Sequence, residues 1–445
     1  MKKYITYKGI AVILVSILTF VSCETDFENP NAASADEVFN TREGLFSATI
    51  GMSQIYSTSG LRFIIETPAI TTREAGITTT FQNMIELEDG GAPLPNFNSN
   101  VIGIWRNLMR VMGVAEDIAA NTPNVQLDEG TTSGLIAYAN LFRAMSIGSL
   151  SQNYEQVIIL TNPDNNATFV SRQEGFNEAI RLLTEARDLI TTTPVSDEFD
   201  SEILRGNIDL LNTINAILAR YQLFAGNYDA AITSAGNVNQ SSTSVFSYDV
   251  LNPNPIWTRV FQNNISNFKP RDNFGLPASF VFDANDGRLD FYLDPLDEDN
   301  QNGLPIENLK GFFQTDTESI PLYLPDEMNL IIAEAHLRKA SPDISAAIAA
   351  INAVRTDTDD AFGINADIDP YSGEQTVNAL LDEVYQNRRA ELFLTGMSLE
   401  DSRRFGRPEP STAIQVFTDE RNRNFYPYPE TERNNNTNTP ADPSI

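Results

Sequence analysis

Of the side chains that carry most enzyme chemistry, the sequence holds one cysteine, Cys23, and one histidine, His336. A zinc site of Cys and His type needs three or four such ligands, so it cannot be built here. An internal disulfide would need a second cysteine. A Cys–His nucleophilic pair would have to join His336 to Cys23, which stands at the end of an apolar leader. Carboxylates are plentiful, so a glycosidase-type acid pair passes this count. Gly-rich phosphate loops and G-x-S-x-G elbows are absent. Asp283-Ala284-Asn285-Asp286-Gly287 and Asp294 to Asp299 offer oxygen ligands to calcium, but without the EF-hand's twelfth-position Glu a capped turn is the plainer reading. Neither a metal nor a cofactor is expected.

The charge balance narrows the partners. Sixty acidic against thirty basic residues give −30 over 445 residues, with a pI near 4.3. Nucleic-acid binding needs clustered Lys and Arg, and docking on anionic lipid needs a polybasic stretch; the sequence offers neither. A hydrophobic fraction of 41% supports a sizeable core. Lys2 and Lys3 precede the apolar run from Gly9 to Val21, too short for a membrane span and of the length of a secretory signal. Phe20-Val21-Ser22-Cys23 then resembles a bacterial lipoprotein processing site, with Phe20 where Leu is usual. Lipidation of Cys23 by palmitate-type acyl chains would anchor the protein. Glu24-Thr25-Asp26-Phe27-Glu28 resembles the surface-export signal of Bacteroidetes lipoproteins.

The elements that must position any site are mostly helical. Polar residues 24–40 read as a tether, and Leu45, Thr49, Met52 and Tyr56 begin a helical period. Residues 61–100, rich in Thr, Gly, Pro and Asn, read as a long loop region. Helices are expected from Val101 to Ala120, over 133–160 and 171–191, as a tight pair in 202–238, and over Pro325–Lys339, Asp343–Arg355 and Val377–Thr395. Periodicity is lost over 240–320, and the tail after Pro427 has no pattern that could bury a face. Ala219 to Ile232 matches the middle of a tetratricopeptide unit, with Gly226 in the left-handed conformation that ends its first helix and tight packing around it. Trp105 and Trp257 read as core, and His336 as a surface or core-edge residue.

At this point the chain resembles the SusD/RagB family of Bacteroidetes outer-membrane nutrient-binding lipoproteins. Phe39 to Tyr56 looks like the family's first helix, Trp105 to Asn121 like its Trp-to-Asn helix, and Leu141-Phe142-Arg143-Ala144 with Tyr154-Glu155-Gln156-Val157 like its first repeat. Asn387-Arg388-Arg389-Ala390-Glu391-Leu392-Phe393-Leu394-Thr395-Gly396 with Asp401-Ser402-Arg403-Arg404-Phe405-Gly406 resembles its most specific signature. Asn424 to Glu430 resembles its closing motif. From the residues alone, the charges of that signature read as inter-helix ion pairs and caps, and the Pro427–Pro429 segment as an extended strap. The resemblance implies a mostly α fold of tetratricopeptide-like hairpins with a loop-rich elaboration. It implies a signal peptide at 1–22, a lipidated N-terminus and tether at 23–40 and one SusD-like domain at 41–445, helical over about 41–240 and loop-rich then helical over about 241–445.

Sugars are held by aromatic faces over their C–H patches, with amides, carboxylates and Arg pairing their hydroxyls. Such residues belong on loops, since helix faces are committed to packing. Residues 66–100 offer Arg73, Glu74, Phe81, Asn83, Phe97 and Asn98. Residues 262–316 offer Phe268, Arg271, Phe274, Asp283, Asp286, Phe291, Tyr292, Phe312 and Phe313. The family resemblance places its ligand site on loops from the same two regions. The expected function is non-catalytic capture of an oligosaccharide or polysaccharide at the outer membrane, in partnership with a TonB-dependent transporter of the SusC type. An adhesion lipoprotein holding a protein partner and a carboxylate-dependent glycan hydrolase are the alternatives.

Overall fold

A computed structural model describes residues 38–445 apart from Pro163 and Asn165. The leader, Cys23 and the tether up to residue 37 lie outside the described residues. The helices of seven residues or more are α1 Arg42–Gln54, α2 Leu61–Thr71, α3 Gln82–Asp89, α4 Ser99–Asn121, α5 Glu129–Asn153, α6 Arg172–Thr192, α7 Leu210–Phe224, α8 Tyr228–Gly236, α9 Pro325–Arg338, α10 Ile344–Arg355, α11 Val377–Glu391 and α12 Ser398–Arg404. Their starts follow the local chemistry. Thr41 accepts from the Gly44 amide at 3.1 Å, and Ser171 and Glu174 form a reciprocal capping box on α6.

Neighbouring helices pair: α4 with α5, α5 with α6, α7 with α8, and α9 with both α10 and α11. The expected helical pair in 202–238 is thus α7 and α8, which pack against each other and in which Ala219 and Ala231 are fully buried. Gly226 has φ +80, as expected, but the space around it is open: an added Cβ would meet nothing within 4 Å. The expected tight packing there is corrected, and only backbone strain constrains the position.

The long loop expected over 61–100 is also corrected. α2 is buried at every residue except Arg62, and α3 follows it. A helix buried all round has no polar face, so its hydrophobic period vanishes from the sequence. Over 240–320 the chain is irregular, as expected, and carries short strands. Among the described residues eight strands pair two by two: β1 Ala75–Ile77 with β5 Phe268–Pro270, β2 Gln156–Ile158 with β3 Phe169–Ser171, β4 Val245–Phe246 with β8 Ile320–Pro321, and β6 Leu293–Asp299 with β7 Pro305–Leu309, all antiparallel.

One apolar cluster runs from Leu45 to Tyr428 and joins the two ends of the described chain. Trp105 lies within it, 4.9 Å from the Tyr154 ring, while Trp257 is half-buried rather than core. The closing segment is a strap across α4 and α5. Tyr426 and Tyr428 are fully buried, the Tyr426 amide donates to Asn153 O at 3.0 Å, and Trp105 Nε1 donates to Glu432 at 3.0 Å. The tail beyond Pro427 is more structured than expected, since Glu430–Asn435 is helical and buried Asn436 donates to Ala167 O.

The Arg- and Glu-rich signature forms the expected ion pairs. Arg388 grips Asp401 at 2.8 and 3.0 Å, Arg404 reaches Glu334 of α9 at 2.7 Å, and Arg389 lies 3.6 Å from Glu74. These contacts join α11 and α12 to α9 and to the segment after α2.

Candidate ligand-binding face

The two loop regions singled out in the sequence are joined. β1 pairs with β5 in the register Ala75↔Pro270 to Ile77↔Phe268, and the pairing runs on through the Thr78 amide, which donates to Asn267 O at 3.0 Å. Arg271 bridges to Ile306, and Asn300 donates to Ile77 O at 3.2 Å. Beneath this seam Glu88 accepts from the Ile77 amide at 2.7 Å, from Asn300 at 3.0 Å and from Asn302. Burial raises its pKa, and those hydrogen bonds act against the rise.

A second buried carboxylate ties the face to the helices. Glu66, on the inaccessible α2, accepts from Arg259 at 2.6 and 3.2 Å and from Asn100 of α4 at 2.9 Å. Asn100 also meets Asn83, and Asn98 donates to Asn83 O and Glu86 while capping α4. The starts of α3 and α4, the residues immediately before them and the 259–267 turn are therefore held as one unit.

On that unit the candidate residues separate sharply. Phe81, just before α3, is 54% exposed, and Phe97, two residues before α4, is 62% exposed. Asn83 and Phe291 are half-buried, as is Phe312, which packs 5.3 Å from Phe291. Arg73, Glu74, Asn98, Tyr292 and Phe313 lie inside the fold. Arg73 donates to Glu88 O at 2.7 Å, and burial brings its pKa down to about 10. Glu74 faces Arg389 and is pushed upward by burial. Tyr292 packs among Phe274, Phe291 and Phe393. Phe268 and Phe274 are buried as well, and Arg271 donates to Pro305 O at 2.8 Å.

The acidic run near 283 is a capped turn. Asp283 accepts from the Asn285 amide at 2.9 Å, and Asp286 caps the short helix Gly287–Tyr292 while pairing with Arg288 at 2.7 Å. Among the described residues no group of three or more carboxylate, His or Cys side chains is placed to hold a metal ion.

The structure adds Gln262, Asn263, Asn264 and Ile265, all exposed on the turn next to the seam. Asn263 and Asn264 both have φ +58, a conformation Asn tolerates better than most residues. The Asn-Asn pair was the sequence signal for that turn. The segments before α3 and α4 thus present two open phenyl rings, and the 262–264 turn presents exposed amides. Rings of this kind can cover sugar C–H surface while the amides pair with hydroxyls.

No family profile matches the sequence, and no curated protein matches it. Solved structures do. A SusD-like carbohydrate-binding protein from Bacteroides fragilis aligns with TM-score 0.69 at 14% identity, covering 91% of this chain and 100% of its own. A SusD superfamily protein from Parabacteroides distasonis gives 0.69 at 14% identity, covering 93% and 100%. A structure determined with a xylogluco-oligosaccharide gives 0.66 at 14% identity, covering 90% and 99%. Through its paired helices, its strap and its loop-rich elaboration alike, this chain has the SusD fold.

Proposed function

We propose that the protein is a non-catalytic surface lipoprotein that captures an oligosaccharide or polysaccharide and passes it to a TonB-dependent outer-membrane transporter of the SusC type. The observation that carries the reading is the pair of exposed rings, Phe81 just before α3 and Phe97 just before α4, on segments that Asn98 ties together through Asn83 and Glu86. Exposed phenyl faces supply the flat apolar surface that covers a sugar's C–H patches. The carboxylates beneath them are engaged, Glu66 by Arg259 and Asn100, Glu88 by Ile77, Asn300 and Asn302, which favours binding over hydrolysis. The SusD fold and the neighbour solved with a xylogluco-oligosaccharide support a glycan as the ligand.

Delivery needs a second protein. No helix among the described residues is long and apolar enough to cross a membrane. Acylation of Cys23 would hold the domain at the outer membrane, and residues 24–40 would let it swing over the barrel as a lid. Fractionation and mild-detergent extraction of a tagged chain test this part. The wild type should sit in the membrane fraction and bring a barrel transporter with it, and Cys23→Ala should lose the membrane association. Membrane retention of the variant, or recovery of the wild type without any barrel, would contradict it.

A further inference from the structure

Between the start of α2, the first half of α4 and the segment 251–258 opens a groove of about 440 Å³ with no carboxylate among its lining residues. In a chain of charge −30 that is unusual. Arg62 and Arg106 line it, Asn107 and Thr258 supply an amide and a hydroxyl, and Leu251 and Pro253 supply apolar surface. Arg106 is exposed and has no ion pair or hydrogen bond to any described residue. Arg62 lies 3.7 Å from Glu66, but Glu66 already holds Arg259 through two hydrogen bonds. The Arg62 Nε is buried and lacks a hydrogen-bond partner. One glutamate therefore faces two arginines, with Arg106 beyond them, and the groove keeps a net positive charge. Most of the chain's other arginines are consumed in ion pairs, such as those to Glu327, Asp401 and Glu420.

We propose that this groove is an anion subsite that takes the carboxylate of an acidic sugar, so that the captured glycan contains uronic acid residues. The proposal rests on the glycan reading given above. A planar guanidinium matches a carboxylate's two oxygens, and the free Arg106 has no competing partner to give up. Leu251, 86% exposed, and Pro253 offer the apolar floor on which the sugar ring that bears the carboxylate lies. Thr258 of the groove precedes Arg259, whose guanidinium holds Glu66, the carboxylate that also accepts from Asn100 beneath the face; the proposal is that one oligosaccharide spans groove and rings.

The test compares charge at constant sugar. Oligomers of galacturonate, glucuronate and mannuronate are titrated into the soluble protein beside their methyl esters, with wild type, Arg106→Gln and Phe97→Ala. One acid oligomer should bind about tenfold more tightly than its ester, the scale of a single partly exposed charge-assisted hydrogen bond. Arg106→Gln should remove that difference and leave the ester's affinity unchanged, whereas Phe97→Ala should weaken acid and ester alike. Equal binding of acid and ester, or an acid preference that survives Arg106→Gln, overturns the subsite while the glycan reading stands. Inorganic phosphate displacing the oligomer at equal concentration overturns the sugar assignment. Failure of every uronate oligomer, beside binding of a neutral glycan sensitive to Phe97→Ala, overturns the subsite alone; failure of all glycans overturns the functional reading with it.

Discussion

Phe81 and Tyr292 show what a residue's type leaves open. Both are aromatics in segments where no sequence period survives, yet one is 54% exposed and the other is sealed among four phenyl rings. Composition identifies residues suited to a sugar; which of them reach solvent depends on how the irregular segments pack, and no local pattern encodes that. Arg73 and Glu74 illustrate the same gap, because their partners, Glu88, Val416 and Arg389, lie 15 to more than 300 residues away. A different residue-scale feature concerns charge. Glu391 is fully buried with neither carboxyl oxygen hydrogen-bonded, Asp326 is buried with one oxygen lacking a hydrogen bond, and Arg288, 3.7 Å from Glu391, is the cation they share with Asp286. Burial, with Asp357 and Asp360 adding to it, pushes the Asp326 carboxyl up to about 7. The folded state then keeps a proton that the unfolded chain releases, so stability falls as pH rises from about 4 to about 7. Asp326→Asn should raise stability at pH 8 by about 1–2 kcal/mol and leave it little changed at pH 4, read by chemical denaturation. An equal loss at both pH values would mean that the ionised carboxylate is stabilising.

The helices with one wet face were legible and the others were not. α4 carries Ile104, Leu108, Val111, Ala115 and Ile118 on one side, and its expected limits lie within two residues of the observed Ser99–Asn121. α2 is buried at every residue except Arg62 and contains Pro68, so it reads as loop, yet it carries Glu66, which ties the candidate face together. Helix crossings raise the same question of packing against backbone. Gly226 ends α7 at φ +80 in open space, whereas a Cβ on Gly148 of α5 would stand 2.0 Å from the ring of buried Tyr221. Gly226→Ala should therefore cost about 1 kcal/mol, from backbone strain alone. Gly148→Ala should cost about 2 kcal/mol despite the helix propensity that alanine adds, because Tyr221 must move within a packed core. Denaturant midpoints check the order. A larger loss at Gly226 would mean that the α7–α8 turn is more tightly packed than it is here.

At the scale of the whole molecule, the resemblance of the Asn387–Gly406 signature named the architecture, and the structure supplies its physical content. The Arg388–Asp401 and Arg404–Glu334 pairs knit α9, α11 and α12 together, while the Arg389–Glu74 pair and the Tyr426–Tyr428 strap fasten the C-terminal third onto the first. On this frame the 66–100 and 262–316 segments, nearly two hundred residues apart, become one face through three strand pairs of β1 and β5. The most direct test of that face is a glycan array probed with the soluble domain, followed by titration of the best ligand into wild type and the Phe81→Ala/Phe97→Ala double variant. The account predicts saturable binding to a glycan that is not shortened on incubation. It predicts a loss of affinity of at least about tenfold in the double variant, the weight of one or two stacked rings, with the melting temperature unchanged because both rings are exposed. Undiminished affinity in the double variant, or cleavage of the bound glycan, would contradict it.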